Sequence, residues 1–481
     1  MYLNIFHSSF GLIFYCGDNK KRITSLHFCL FVAIFLRSHH AIHWNSIDFC
    51  TMKLLLLLLA ASAAADRVLV LVDNMSIRES HSIFFKSITD RGHSVTFKNA
   101  DEGSLQLIKF GELEYENLVL FAPSADEFGG TITAAEIARF VDQGGNVLLA
   151  GAGSNVGAAV RDVAADNGFE FADQLIDHVN YDAVLDDGSH TTVVASAKSQ
   201  LMEAPLIVGD RSKLGPILYS GGALVASPNN RLRLDVFKAA STAYSHDPSK
   251  PIREYPSAVG RQAVLVSAVQ ARNNARLVLT ASLQLFSNEF LSATVNKDGD
   301  KPTPSGNKAF VDSLAKWVLK ETGVLRVKNV EHHKVGEKEP PREYTIMEDV
   351  DYKLEVEELK NNKWVPFDGK DVQLEFVRID PFVRTTLQNK NGVLSSRFKL
   401  PDVYGVYKFL VDYRRVGYTH LLDIQQVSVR PLWHTQYERF IRSAFPYYAS
   451  SFSMMASLVV FSVVFLYHKS DPVVAQTKKN N

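Results

Sequence analysis

The sequence predicts a mixed α/β chain in three parts: a parallel-sheet domain, a β-sandwich-like domain, and one transmembrane helix near the C-terminus. Three observations carry this. Between residues 66 and 323, short apolar runs alternate with helical stretches, the βαβα order of a parallel sheet covered on both faces. Between residues 324 and 432, apolar and polar residues alternate with period two, the mark of half-buried strands. Residues 447–467 then run for about 20 positions without a charge, long enough to cross a bilayer core.

Composition narrows the function classes. Apolar residues make up 46% of the 481, ample for packed cores and against disorder. Lys and Arg number 52, as do Asp and Glu, so no net charge draws the chain toward nucleic acid or a polyanionic substrate.

The N-terminal part reads as targeting rather than fold. Met52-Lys53 precedes an unbroken leucine run from Leu54 to Leu59, then small residues up to Ala65. A positive charge, an apolar core and an Ala-x-Ala end make a signal peptide over residues 52–65, cleaved after Ala65 to leave Asp66 as the mature start. Residues 1–51 carry their own basic cluster, Lys20-Lys21-Arg22, and an apolar run from Ser25 to Leu36. They read either as a signal-anchor or as an upstream extension with translation starting at Met52. The completeness of the second signal favours the extension. All three cysteines (Cys16, Cys29, Cys50) lie there, so the mature chain is expected to have no disulfide, no thiol nucleophile and no cysteine metal site.

In the α/β part, strands are expected at residues 67–73, 94–98, 117–123 and 146–150, each a short buried apolar run. Helices are expected at 78–91, 133–143, from 150 to 167, and 308–322, most of them ending at glycine. Residues 190–286 read as strand-rich, with strands at 206–209, 263–269 and 276–281. In the next part, residues 352–358 and 373–378 alternate cleanly. Asn361-Asn362 and Asn389-Lys-Asn-Gly392 read as turns. Leu400-Pro-Asp-Val-Tyr404-Gly405-Val-Tyr407 resembles the approach to a tyrosine corner, although the Cys–Trp–Cys pattern of immunoglobulin domains is absent.

Residues 433–446 form a juxtamembrane segment, 447–467 the transmembrane helix with tyrosines at both ends, and 468–481 a cytosolic tail. A cleaved signal puts the N-terminal side in the lumen. Lys478 and Lys479, third and fourth from the end, then resemble a dilysine retrieval signal, an address rather than an anchor.

The candidate chemical motifs read better as structure. Gly151-Ala-Gly153-Ser154-Asn155-Val-Gly157 follows a strand and opens a helix, but its spacing is GxGxxxG and it follows the fourth strand, so a tight strand–helix turn is favoured over a dinucleotide loop. Asp298-Gly-Asp300 lies in loop composition and reads as solvated acids rather than a metal site. His332-His333 are adjacent and, on a strand, point to opposite faces. No catalytic, cofactor-binding or metal residue is assigned. Asn74-Met75-Ser76 is a glycosylation sequon directly after the first strand, where burial of the loop is expected to limit its use.

Longer stretches carry a family resemblance. They are Gln270-Ala-Arg272 with Asn273-Asn-Ala-Arg276, Trp364-Val-Pro-Phe-Asp-Gly369, Glu375-Phe-Val-Arg-Ile-Asp-Pro-Phe-Val-Arg384, Leu400-Pro-Asp-Val-Tyr-Gly405, and His434-Thr-Gln-Tyr-Glu-Arg-Phe440 leading into Pro446-Tyr-Tyr-Ala449. In these the chain resembles the 48 kDa subunit family of oligosaccharyltransferase, from about residue 67 to residue 467. The resemblance implies a luminal amidotransferase-like domain and a non-catalytic role in assembly; with no cysteine nucleophile expected in the mature chain, glutaminase activity is not expected. It implies no cofactor, and as partners a multi-spanning catalytic subunit, ribophorin-type and small membrane subunits, in the membrane of the endoplasmic reticulum. The competing reading is an independent luminal sugar-binding protein or enzyme using the loops after Asp73, Pro123 and Gly151.

Overall fold

The computed structural model describes residues 66–469, apart from 173, 228, 254, 297–301, 361 and 440. Ala65, Lys478, Lys479, Asp298, Asp300 and the three cysteines lie outside the described residues.

The first part is built on a nine-stranded sheet. Its strands are β1 Arg67–Val72, β2 Ser94–Asn99, β3 Asn117–Phe121, β4 Asn146–Ala150, β5 Phe169–Phe171, β6 Leu224–Ala226, β7 Arg233–Lys238, β8 Val264–Gln270 and β9 Arg276–Thr280. Their order is β2-β1-β3-β4-β9-β8-β6-β5, with β7 also on β8. From β2 to β9 the neighbours are parallel, and from β9 onward antiparallel. Helices cover both faces: α1 Ser82–Asp90, α2 Ala134–Asp142, α3 Ala158–Asp166 and α4 Asn307–Val318.

Strand alternation divides the core in two. Val68, Val70 and Val72 face Phe84, Phe85, Phe310 and Trp317 of α1 and α4. Leu69 and Leu71 point the other way, onto Ile137 and Phe140 of α2 and Val160 and Val163 of α3. A strand buried on both faces must be apolar at every position, which is why these runs were legible without alternation.

Several expected elements differ in detail. The helix expected over 78–91 is interrupted at His81, which separates a short helix, Ile77–Ser80, from α1. The buried His81 ring lies 3.2 Å from the Leu283 carbonyl and 5.7 Å from the Phe121 ring, so tertiary contacts hold the break. Residues 206–209, expected as a strand, are instead a helical turn, Pro205–Val208. Pro205 stands at the first helical position, where its missing N–H costs nothing, and Gly209, at φ 85°, ends the turn. The last helix stops at Val318 rather than 322 because Lys320 turns left-handed at φ 58°.

The second part contains two five-stranded sheets. One joins β10 Val324–Lys334, β11 Asp349–Lys360, β12 Lys363–Pro366, β15 Gln388–Lys390 and β16 Val393–Lys399. The other joins β13 Gln373–Val377, β14 Pro381–Thr386, β17 Gly405–Tyr413, β18 Leu421–Arg430 and the two-residue strand Tyr344–Thr345. Their inward residues share one core, including Tyr352, Leu354, Phe376, Tyr407 and Phe409. Phe376 and Tyr407 stack at 4.5 Å. The expected tyrosine corner is present: Tyr407 Oη donates to the Val403 carbonyl at 2.8 Å. The turn at Asn391-Gly392 has both residues at positive φ, 53° and 83°, as a two-residue hairpin loop requires.

The chain ends in α5, Phe445–Tyr467, all exposed and apolar enough over Arg442–Tyr467 to cross a membrane.

Candidate functional site

The loops at the C-terminal ends of the parallel strands are bound to one another. Asp73 accepts from the Ser124 backbone N–H at 3.0 Å and its hydroxyl at 2.6 Å. Gly157 donates to the Pro123 carbonyl at 2.8 Å, and Asp126 accepts from the Ala158 N–H at the start of α3 at 3.2 Å. A Cβ on Gly153 would collide with Leu175, and one on Gly157 with the Ala125 carbonyl. The glycine run is closely packed, in keeping with its reading as a tight strand–helix turn. Among the described residues no group of three or more His, Cys, Asp or Glu is placed to hold a metal ion. His332 is bonded instead to the Tyr344 hydroxyl at 2.9 Å, and His333 to the Lys334 carbonyl at 3.1 Å.

Asn74 is exposed, with Met75 and Ser76, so loop burial does not stand in the way of the sequon. Its side-chain oxygen accepts from the Ser76 N–H at 3.1 Å, an Asx turn. Asp66 is exposed at the start of β1.

The most developed polar constellation is the joint between sheet and sandwich, and it is made by a stretch quoted above for its resemblance. Arg276 opens β9 and is fully buried. Its Nη1 donates to the carbonyls of Trp317 (2.6 Å) and Thr322 (2.7 Å), and its Nη2 to those of Gly323 (3.0 Å) and Gly417 (3.2 Å). The guanidinium lies 4.8 Å from the Trp317 ring centroid, and Trp317 Nε1 donates to the same Gly417 carbonyl at 2.9 Å. A cation on the Trp317 carbonyl, in the last turn of α4, is also the favoured sign for a helix C-terminus. Burial pulls the Arg276 pKa down to about 9, which leaves it charged at neutral pH. Gly417 takes φ 88°, and a Cβ on Gly323 would collide with the Gly417 carbonyl, so both glycines are required by the closeness of the two chains.

Neighbouring residues extend the joint. Gln270 donates to the Tyr418 carbonyl at 2.9 Å, and Asn274 accepts from the His420 N–H at 2.7 Å. Asn273 turns the other way and donates to the last carbonyls of α2, Val141 and Asp142, at 2.7 and 2.9 Å. Thr419 closes the seam, donating from its N–H to Gly323 and accepting from the Leu325 N–H, both at 2.8 Å. Beside it, Glu321 receives His93 and Arg91, each at 2.9 Å. Burial alone would raise the Glu321 pKa, but these two donors hold it below the usual carboxylate value. Sequence reasoning singled out the stretch that holds Arg276 for its resemblance but missed the carbonyls of Trp317, Thr322, Gly323 and Gly417 as its partners. An arginine opening the apolar run Leu277 to Leu279 was the available signal, since burial of that charge needs a cage of acceptors.

The membrane helix has its own sidedness. At 3.6 residues per turn, Ala449, Ser453, Ala456, Ser457, Val460 and Val464 fall on one face, and a shallow groove runs along it. Ser450 and Ser453 satisfy their hydroxyls within the helix, on the carbonyls of Tyr447 and Ser450 at 2.8 Å.

Comparison with known proteins agrees with this architecture. The profile of the OST48 N-terminal domain matches residues 59–321, and that of the OST48 middle domain residues 332–469. The chain is 58% identical over 415 residues to the dolichyl-diphosphooligosaccharide–protein glycosyltransferase 48 kDa subunit of Caenorhabditis elegans, covering 85% of this chain and 93% of that one. The subunit of the same name from Danio rerio is 52% identical over 417 residues (85% and 94%), and that from Drosophila melanogaster 51% over 422 (86% and 93%). A solved ThuA-like protein from Parabacteroides merdae matches at a TM-score of 0.28 and 15% identity, over 53% of this chain and 90% of that one, too low to carry an argument. The chain therefore belongs to the OST48 family, that of the 48 kDa subunits of dolichyl-diphosphooligosaccharide–protein glycosyltransferase.

Proposed function

We propose that this chain is a non-catalytic accessory subunit of the oligosaccharyltransferase complex, needed for its assembly and for efficient transfer of the dolichol-linked glycan to asparagine in Asn-x-Ser/Thr sequons. Its partners are the multi-spanning catalytic subunit, ribophorin-type subunits and small membrane subunits. It sits in the endoplasmic reticulum membrane as a single-pass type I protein, with the α/β domain (66–323) and the sandwich (324–432) in the lumen. Lys478 and Lys479 act as a retrieval address that matters mainly before assembly.

The observation that carries this reading is the extent of kinship: relatives named as this subunit are more than half identical over nearly all of their own length. Two features support it. The anchor presents a small-residue face on which a neighbouring helix can approach closely. The strand-edge loops that the rival sugar-binding reading needs are engaged with one another.

Depletion tests it. Occupancy of reporter-glycoprotein sequons is expected to fall when this subunit is removed and to recover on re-expression. Unchanged occupancy would exclude the role.

A further inference from the structure

A groove of about 640 Å³ runs along the joint, between Arg231 and Arg272 on the sheet side and the loop from Arg414 to Leu422 on the sandwich side. That volume lies within the range of specific binding clefts, about 300–1,000 Å³. Its charge is one-sided. The acids at the sandwich wall are already engaged: Asp412 accepts from Arg414 at 3.0 Å and pairs with His420 at 2.8 Å, while Asp371 accepts from Arg415 at 2.6 Å and from the Tyr413 hydroxyl at 3.0 Å. Arg231 and Arg272 are exposed and form no ion pair among the described residues. Three apolar side chains line the groove between these charges, exposed well beyond what packing requires: Leu232 at 44%, Val416 at 53% and Leu422 at 49%.

We infer that this groove binds an extended acidic–apolar segment of another protein of the complex, its carboxylates on Arg231 and Arg272 and its apolar side chains against Leu232, Val416 and Leu422. The mixed lining decides the class of ligand. A free inorganic anion would gain nothing from the three apolar residues, and a flat membrane surface does not enter a concave seam. Arginine offers a planar fork for bidentate pairing with carboxylates. Because the two walls belong to different parts of the chain, an occupant spans the joint and reinforces it. The inference rests on the assembly role proposed above and adds the chemistry of one partner contact.

The test is site-specific photo-crosslinking of the full chain in the purified complex, with benzoylphenylalanine in place of Leu232, which lies outside the joint's hydrogen bonds. The expected result is an adduct to another subunit whose attached peptide carries at least two carboxylates. R231E/R272E should cut adduct yield about tenfold, because reversing rim charges replaces attraction with repulsion. The thermal midpoint of that double variant should stay within about 2 °C of the parent, since exposed unpaired charges contribute little to folding. An intact complex with no adduct, an adduct to lipid or to a peptide without acids, or a yield indifferent to R231E/R272E would overturn the inference while leaving the assembly role standing. A chain that co-purifies with nothing would remove both.

Discussion

A buried guanidinium must be answered by oxygens, and Arg276 is answered by four carbonyls drawn from both sides of the joint. Replacing it with Met removes the charge but orphans those carbonyls, so Arg276→Met is expected to cost on the order of 3 kcal/mol or more in urea unfolding. Arg276→Lys should recover only part of that, because one ammonium cannot reach all four oxygens as a planar fork does. Equal stability of the Lys variant and the parent would show that charge alone matters. Histidines give a second expectation at this scale. Burial lowers the pKa of His81, His178 and His332 below the ordinary 6.5. Between each folded value and 6.5 the unfolded chain holds more protons than the folded one. Their contribution is thus fully present above 6.5 and is lost as the pH falls through the lowered values. The thermal midpoint at pH 5.5 should lie below that at pH 7.5, and His81→Gln should narrow the difference. An unchanged or higher midpoint at pH 5.5 would contradict the assignment.

Elements differed in how far they could be read in advance. The parallel strands were legible because burial on both faces demands unbroken apolar runs, and β11 because one buried face demands alternation. The tyrosine corner was legible as a local motif. What escaped depends on contacts between distant residues: the break at His81 is held by Leu283, and the insertion of β9 beside β4 pairs positions more than 100 residues apart. The hairpin Ile108–Lys109/Glu112–Leu113 gives a prediction of its own. Phe110 at its tip is 98% exposed and left-handed at φ 51°, a conformation that costs a bulky residue about 1 kcal/mol. Phe110→Asn should raise stability by up to that amount, whereas a loss in chemical denaturation would mean the ring has a packing role. On the membrane helix, Ser453→Leu with Ser457→Leu fills the small-residue face and is expected to reduce recovery of partner subunits. Met455→Leu, on the opposite face, should not. Equal recovery from both would place the helix contact elsewhere.

At the scale of the whole molecule, the α/β sheet, the sandwich and the anchor form a series in which the joint sets the geometry between the first two. The proposed assembly role would draw on that rigidity, and at the joint the buried Arg276 gathers four backbone carbonyls. The glycine run, His332, His333 and Asp73 are each engaged in packing or hydrogen bonds within the fold. The joint itself was half visible, as an arginine-bearing stretch whose partners lie up to 148 positions away. The most direct measurement is purification of this subunit from membranes in mild detergent, with identification of everything that accompanies it. The expected result is a stoichiometric complex containing a multi-spanning glycosyltransferase. Recovery of the chain alone, under conditions that keep that enzyme's other subunits together, would contradict the assembly role.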